Sequence, residues 1–194
     1  ARWFTKILMN PSSESMIRSL FINKEALEKG AARPKDIPNQ KVEKIGILGA
    51  GMMGAGISYV SALAGIKVVL LDMKEEDAQK GKIHAENLLN IGLKRKKIDE
   101  KKKSAVLDLI SPTTKFEDLK DCDLVVEAVF EDPVVKAEVT RKAEAIIDKN
   151  CIFASNTSTL PITSLASASE RPEQFIGIHF FSPVDKMLLV EIIK

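Results

Sequence analysis

Apolar runs and amphipathic stretches alternate along the chain from residue 42 onward. Ile45, Ile47 and Leu48 belong to a run without polar alternation, as expected for a strand that is covered on both faces. Apolar residues then recur at helical spacing between residues 57 and 64. Further strands are predicted at 67–72, 123–129, 151–155, 175–179 and 188–193, and further helices at 75–93, 99–109, 133–148 and 161–168. The alternation predicts an α/β domain with a doubly wound, mostly parallel sheet and a helical-hairpin excursion at 75–109.

The first 41 residues have a different pattern. An amphipathic helix is predicted at 12–29, with Ser12 or Ser13 as its N-cap and Gly30 at its end. Its apolar side consists of Met16, Ile17, Leu20, Phe21 and Leu27. The segment 31–40 contains two prolines and is typical of a linker. The predicted organisation is therefore a linker helix and Pro-containing linker at 1–41, followed by the α/β domain at 42–194. The pattern fits equally a helix that folds back on its own domain and one that belongs to something larger.

A glycine pattern lies between the first strand and the first helix of the α/β domain. Gly49, Gly51 and Gly54 have the G-x-G-x-x-G spacing of a dinucleotide-binding Rossmann domain. Gly49 permits a tight turn, Gly51 lets the backbone approach a pyrophosphate, and Gly54 lets the helix pack closely on the sheet. The helix N-terminus then presents N–H groups and the positive end of its dipole to phosphates. An ordinary βαβ unit with a tight turn is the alternative, but the flanking strand and helix favour a dinucleotide site.

The acid that closes the second strand indicates which dinucleotide binds. Asp72 follows Gly54 at close to the interval of about 20 residues at which a ribose-binding acid is expected. Its carboxylate can accept hydrogen bonds from the ribose hydroxyls and would repel a 2′-phosphate, so NAD is predicted rather than NADP. Lys74 weakens this preference slightly, since a flexible cation nearby can tolerate the phosphate.

Composition and charge exclude several classes of function. The chain has 194 residues, of which 45% are hydrophobic and 29% charged, as in globular domains with a full core. A net charge of +2 argues against an extensive nucleic-acid surface. No apolar run approaches the roughly 18 residues of a membrane span. Cys122 and Cys151 are isolated, so reduced, buried thiols are expected rather than a disulfide or a metal pair, and no metal site is predicted. A reducing, cytoplasmic location fits these properties.

His179 is the candidate catalytic base. A neutral imidazole can accept a hydroxyl proton near neutral pH, and a carboxylate on its other ring nitrogen would stabilise the imidazolium. If the last two strands form a hairpin around residues 183–186, Glu191 faces His179 across it. A packed, hydrogen-bonded core histidine is the alternative. His84 lies in a polar helix without an evident partner and is predicted to be a surface residue.

Two further features each have two interpretations. Asn156 and Ser158 can donate to a substrate oxygen or to a nicotinamide, but Asn-Thr-Ser is also an ordinary turn or helix-cap sequence. The basic run at 94–97, with lysines at 101–103, can contact the phosphates of a large anionic substrate or be the solvated tip of the helical hairpin.

Four motifs together resemble the L-3-hydroxyacyl-CoA dehydrogenase family. They are Gly49-Ala-Gly-Met-Met-Gly54, Val125-Val-Glu-Ala-Val-Phe-Glu131, Ser155-Asn-Thr-Ser158 and His179-Phe-Phe-Ser-Pro183. The resemblance covers residues 42–194 and is strongest to the dehydrogenase part of multifunctional fatty-acid oxidation proteins, the alpha subunits of the fatty-acid oxidation complex. It implies that the parent protein oxidises (S)-3-hydroxyacyl-CoA to 3-oxoacyl-CoA by hydride transfer to NAD.

The resemblance also implies a role for each matching position. His179 would be the catalytic base and Glu191 its partner, while Ser158 would lie near the substrate hydroxyl. The helical pair at 75–109 would extend toward the CoA moiety. The implied cofactor contacts are Gly49, Gly51, Met52, Met53, Gly54, Asp72, Val129, Glu131, Lys136, Ser158 and Ser182.

Family members have a second, helical domain, which this sequence does not show. The chain is therefore expected to be a fragment that lacks this C-terminal domain and an N-terminal hydratase domain, and to have little or no activity alone. The implied partners are the 3-hydroxyacyl-CoA substrate, these two domains and a thiolase subunit. A bacterial cytoplasm is favoured as the location, and a mitochondrion or a peroxisome is also compatible. The alternatives are another β-hydroxyacid dehydrogenase and a non-catalytic NAD-binding module.

Overall fold

A computed structural model describes residues 1–38 and 40–194 of the chain. It divides into two compact units, residues 1–41 and 42–194. Position 39 of the predicted linker lies outside the described residues.

The first unit is helical. It contains α1 (Arg2–Leu8), α2 (Pro11–Ile17), a π-helical segment (Arg18–Asn23) and α3 (Lys24–Glu28). The prediction of Ser12 or Ser13 as the N-cap was wrong, because Asn10 caps α2 by accepting a hydrogen bond from the Ser12 N–H at 2.9 Å. Proline at the first helical position has a φ angle that suits a helix start. The helix α1 was not predicted, and residues 31–38 and 40 contain no helix or strand.

Seven strands of the second unit form one sheet in the order β3-β2-β1-β4-β5-β6-β7. The strands β1 to β6 are parallel, and β7 pairs antiparallel with β6. Their bounds are β1 (Lys44–Leu48), β2 (Lys67–Leu71), β3 (Ile110–Thr113), β4 (Leu124–Glu127), β5 (Ile152–Ser155), β6 (Phe175–Phe180) and β7 (Val190–Ile193). The sheet confirms the predicted doubly wound, mostly parallel fold. The sequence pattern missed β3, which contains Pro112 and lies at the sheet edge, where proline is tolerated.

Helices cover both faces of this sheet. They are α4 (Met52–Leu63), α5 (Glu75–Lys94), α6 (Glu100–Asp108), α7 (Pro133–Glu144) and α8 (Ile162–Ala166). On one face, Ile57 of α4 and Leu89 of α5 are buried against Ile47 and Leu70. On the other face, residues of α7 and α8 are buried against Val125 and other strand residues. Because both faces are covered, only the two ends of the parallel strands remain open for a ligand.

The helical hairpin at 75–109 is present as α5 and α6, which pack against each other. The helix α7 is shorter than the predicted 133–148. Asp132 caps it by accepting hydrogen bonds from the N–H groups of Val134 and Val135 at 2.8 and 3.0 Å. Among the described residues, no helix combines the length and apolar character needed to cross a membrane.

Both cysteines are free and buried, as predicted. Burial raises the pKa of the Cys122 thiol to about 11 and that of the Cys151 thiol to about 12. Both thiols are therefore protonated and unreactive near neutral pH.

Candidate active site

The turn after β1 has the geometry that its glycines predict. Gly49 has a φ of +93°, and a Cβ there would lie 2.8 Å from the Ala128 carbonyl oxygen. A Cβ at Gly54 would lie 1.8 Å from the Gly49 carbonyl oxygen. No larger residue fits at either position without moving the backbone. The two glycines therefore bring α4 directly against the end of β1.

The N-terminus of α4 is open. Its N-cap is Gly51, and no side chain of the described residues caps the helix. A Cβ at Gly51 would meet no atom within 4 Å. The first-turn N–H groups therefore have no capping side chain, and the positive end of the helix dipole lies at this open turn. This cradle fits the pyrophosphate of a dinucleotide.

Asp72 lies directly after β2, beside this turn. Its Oδ2 accepts a hydrogen bond from the Ala50 N–H at 2.7 Å, and its Oδ1 accepts one from the Met73 N–H at 2.7 Å. The carboxylate therefore has a second function that the sequence did not indicate, which is to hold the glycine turn against the end of β2. Its predicted contact with the ribose stays a prediction.

A buried ion pair lies at the carboxyl end of β4. The Lys136 Nζ donates to both carboxylate oxygens of Glu127 at 2.9 Å, and the two side chains are 2% and 1% exposed. Glu127 also accepts hydrogen bonds from the Ser155 hydroxyl and, at 3.3 Å, from the Val129 N–H. This one carboxylate therefore connects β4, β5, α7 and the loop after β4.

Lys136 extends the network to a second carboxylate. Its Nζ lies 3.1 Å from Oε2 of Glu131, whose Oε1 accepts hydrogen bonds from the Thr157 hydroxyl and, at 3.1 Å, from the Ser158 N–H. Burial raises the pKa of Glu131, but the hydrogen bonds from Thr157 and Lys136 and the charge of Lys136 outweigh it and hold this pKa at about 2. Glu131 is consequently ionised at neutral pH and fixes the turn that contains Ser158.

Asn156 has a structural contact that the sequence did not indicate. Its side chain is buried, and its Oδ1 accepts a hydrogen bond from the Phe180 N–H at 2.9 Å. Asn156 thus ties the end of β5 to β6 next to His179, and its side-chain oxygen is already engaged. Ser158 is exposed at the same edge of the sheet.

His179 and Glu191 form the pair that the sequence predicted. They are opposite each other in the β6–β7 register, and the His179 Nδ1 lies 2.8 Å from Oε2 of Glu191. The His179 side chain is 17% exposed, and the Phe181 ring lies 4.6 Å from the imidazole between ring centroids. A histidine walled into the core would not have this access. The predicted hairpin is confirmed, and the catalytic roles of the two side chains stay predictions.

The remaining predicted residues occupy different surroundings. The Ser182 hydroxyl donates a long hydrogen bond to the Met52 sulfur at 3.9 Å, which joins the loop after β6 to the start of α4. The basic run 94–97 is exposed at the tip of the α5–α6 hairpin, and its contact with CoA stays a prediction.

Sequence reasoning missed the roles of Glu127 and Thr157, and a signal existed for the former. A glutamate at the end of an otherwise apolar, buried strand requires a cationic partner, and a lysine one turn into the following helix can supply it. The role of Thr157 had no comparable signal, because its partner Glu131 lies on a different strand connection.

An open glycine turn, a carboxylate after β2 and a histidine–carboxylate pair thus lie at the carboxyl ends of one parallel sheet. Together they are the features of a dinucleotide-binding domain of the Rossmann class. Comparison with known proteins specifies the family: residues 44–194 match the model of the 3-hydroxyacyl-CoA dehydrogenase, NAD binding domain. The chain belongs to this family and contains its NAD-binding domain, which confirms the resemblance that the four motifs indicated.

The relatives agree with this assignment. Over 194 residues the chain is 43% identical to the fatty acid oxidation complex subunit alpha of Pseudomonas syringae pv. syringae (strain B728a), and it spans 27% of that protein's length. The solved structure of (S)-3-hydroxybutyryl-CoA dehydrogenase from Ralstonia eutropha matches 78% of this chain and 54% of its own, at 39% identity and a TM-score of 0.76. The dehydrogenase part of multifunctional enzyme 1 from C. elegans matches 81% of this chain and 38% of its own, at 32% identity and a TM-score of 0.69.

Proposed function

We propose that this chain provides the NAD site and the catalytic base of an enzyme that oxidises (S)-3-hydroxyacyl-CoA to 3-oxoacyl-CoA in fatty-acid β-oxidation. The observation that carries the proposal is the 2.8 Å contact between His179 Nδ1 and Glu191 Oε2, at the sheet edge that also bears the glycine turn. The names of the relatives support the substrate class, since they include a 3-hydroxybutyryl-CoA dehydrogenase and a fatty acid oxidation complex subunit.

The histidine pair supplies the proton chemistry. With Nδ1–H donated to Glu191, the lone pair of Nε2 is free to accept the proton of the substrate hydroxyl. Glu191 holds this tautomer and stabilises the imidazolium that results. Bound NAD accepts the hydride from the carbon that carries the hydroxyl group, so the C–O bond becomes a carbonyl.

The other predicted residues hold and orient the cofactor. The turn 49–54 would bind the pyrophosphate and Asp72 the ribose. Further residues would line the NAD site, namely Val129, Glu131, Lys136 and Ser158, with Ser182 near the nicotinamide. The buried Glu127–Lys136 pair supports this proposal, because it fixes Glu131 and through it the Ser158 turn before any ligand binds.

The assembly around this domain is proposed from the relatives. They are longer chains, one of them a multifunctional enzyme and one an alpha subunit of a complex. We infer that the domain works beside a helical domain and a hydratase domain, together with a thiolase subunit, and that residues 1–41 form the connection to the hydratase part. The bacterial origin of the curated relatives supports a bacterial cytoplasm as the location.

The test is NADH formation by the full-length gene product with 3-hydroxyacyl-CoA and with the corresponding free 3-hydroxy acid. We expect turnover of the CoA ester only. His179→Ala should lower kcat by about 10²–10⁴-fold, which is the usual contribution of a general base. Glu191→Gln should lower kcat less, because the imidazole remains.

His84→Ala is the matched control, since this second histidine is exposed on α5, and it should leave kcat unchanged. Turnover of free hydroxy acids in preference to the CoA ester would favour another β-hydroxyacid dehydrogenase. NAD binding with no turnover of either substrate would favour a non-catalytic NAD-binding module.

A further inference from the structure

One face of α4 packs against the loop 181–189, which joins β6 to β7. Three residues of the helix, spaced four and three positions apart, lie on this face. They are Met52, Gly56 and Tyr59. We call their contact with the loop the α4 seam.

The centre of the α4 seam is a contact between Gly56 and Val184. A Cβ at Gly56 would lie 2.9 Å from Cβ of Val184 and 3.0 Å from its Cγ2. Both residues are buried, and Val184 belongs to the core on this face of the sheet. Since carbon atoms in contact prefer separations of about 3.5–4.0 Å, even one methyl group at Gly56 would have to displace the loop or the helix by roughly 1 Å.

The N-terminal end of the seam is also in contact, since the Ser182 hydroxyl reaches the Met52 sulfur at 3.9 Å. At the other end, burial raises the pKa of Tyr59 first, and the negative charge of Asp185 raises it further. The loop therefore contacts α4 at Met52 and, one turn later, at Gly56.

The two partners of the seam carry the two halves of the site. The N-terminus of α4 forms the open cradle after Gly49. The loop directly follows β6, which carries His179, and directly precedes β7, which carries Glu191. The loop thus joins the histidine pair to the helix that carries the pyrophosphate cradle.

We propose that the contact of Gly56 with Val184 sets the position of the His179–Glu191 hairpin relative to the bound cofactor, and that Gly56 is a positioning residue for hydride transfer. This inference rests on the proposed function for its catalytic meaning. In this proposal Gly56 contacts no reacting atom and acts only through the loop 181–189.

The experiment adds one methyl group at the seam with Gly56→Ala in the full-length gene product. We expect kcat to fall by about 10–100-fold, because a displacement of roughly 1 Å can cost a reaction about 10²-fold. The Kd for NAD, measured by calorimetry, should stay within about threefold, since the cradle lies one turn earlier on the helix. Alanine is favoured over glycine inside a helix, so helix propensity does not oppose the change.

Two further variants separate positioning from a general loss of structure. Gly56→Ala combined with Val184→Gly removes the side chain that the new methyl group would meet, and should recover kcat to near that of Val184→Gly alone. Gly46→Ala is the matched control: a Cβ there would lie 2.6 Å from Cδ2 of Leu119 in the core, away from the loop. It should lower stability and leave kcat unchanged.

A readout without turnover is available from the two histidines. In NMR spectra of the 194-residue chain, Gly56→Ala should move the ring signals of His179 and leave those of the exposed His84 in place. Unmoved His179 signals, an unchanged kcat, or no recovery in the double variant would overturn the proposal. If the full-length protein does not oxidise 3-hydroxyacyl-CoA, or if His179→Ala keeps full activity, the proposed function is wrong. The NMR ring signals of His179 then test the role of the α4 seam by themselves.

Discussion

Lys136 is the residue whose surroundings most constrain the candidate site. Its ammonium group is 2% exposed and lies between the carboxylates of Glu127 and Glu131. A buried charge is tolerated only when it is paired and hydrogen-bonded, and here three acceptor oxygens satisfy the three donors. Such a pair adds little net stability compared with apolar residues, but removal of one partner leaves the other charge unpaired.

We therefore predict that Lys136→Met destabilises the protein by about 3–5 kcal/mol, since Glu127 would remain buried without a cation. The measurement is the free energy of unfolding from urea denaturation. Lys142→Met on the same helix is the control, because Lys142 is 54% exposed and pairs with an exposed Glu138 at 2.6 Å. It should cost about 0–1 kcal/mol.

The double variant Glu127→Gln with Lys136→Met tests the cause. It should recover part of the loss, since the buried side chain at position 127 then carries no charge, whereas Glu131 is 37% exposed. Equal costs for Lys136→Met and Lys142→Met would show that the buried pair has no special role.

At the scale of elements, β1, β2 and α4 meet at the glycine turn, and Asp72 joins them. The Ala50 N–H donates to Asp72 at 2.7 Å, so the acid braces the turn as well as facing the predicted ribose position. Asp72 can support NAD binding by hydrogen bonding to the ribose and by bracing the turn, so loss of its carboxylate should weaken NAD affinity in either case. Discrimination against the 2′-phosphate of NADP depends on the negative charge alone.

We predict that Asp72→Ala weakens NAD binding by about 1–3 kcal/mol in calorimetric titration, the usual cost of losing a partly buried hydrogen-bonded acid. Asp72→Asn keeps an acceptor oxygen without the charge, and should lose less NAD affinity while gaining affinity for NADP. Asp77→Asn removes the same charge from a half-buried position on α5, and as the control it should alter neither. An unchanged ratio of NAD to NADP affinity in Asp72→Asn would contradict the selectivity argument.

At the scale of the whole molecule, the predicted cofactor residues all belong to one of the two units. The unit 42–194 has its own sheet and buried clusters on both faces, while the helices of the unit 1–41 bury no residue. Large apolar side chains such as Trp3 and Phe21 are 75% and 68% exposed in that first unit. Apolar surface of this kind is typical of segments that pack on another protein surface.

Removal of residues 1–41 should therefore leave NAD binding intact. We predict that residues 42–194 alone bind NAD with a Kd within about threefold of that of the 194-residue chain, a difference below about 0.7 kcal/mol. Calorimetric titration of both chains measures this, and circular dichroism checks that the shorter one is folded. A shorter chain that is folded but does not bind NAD would show that the first unit contributes to the site.

Much of this architecture was predictable because its signals are local. The glycine spacing and the apolar strands each reflect a requirement of nearby backbone, and both are present as expected. The misses have equally local reasons. Pro112 conceals an edge strand, and Asn10 before Pro11 is a better N-cap than the serines that follow, because proline suits the first helical position.

The sequence by itself determined the strand–turn–helix that forms the cradle, the preference for a dinucleotide, and the pairing of His179 with Glu191 through a short hairpin. Only the tertiary structure decided that Glu127 and Glu131 share Lys136, that Asp72 braces Ala50, and that Val184 rests on Gly56. The reason is physical: backbone conformation and short hairpins depend on neighbouring residues, whereas these contacts exist only once helices and strands pack at van der Waals distance.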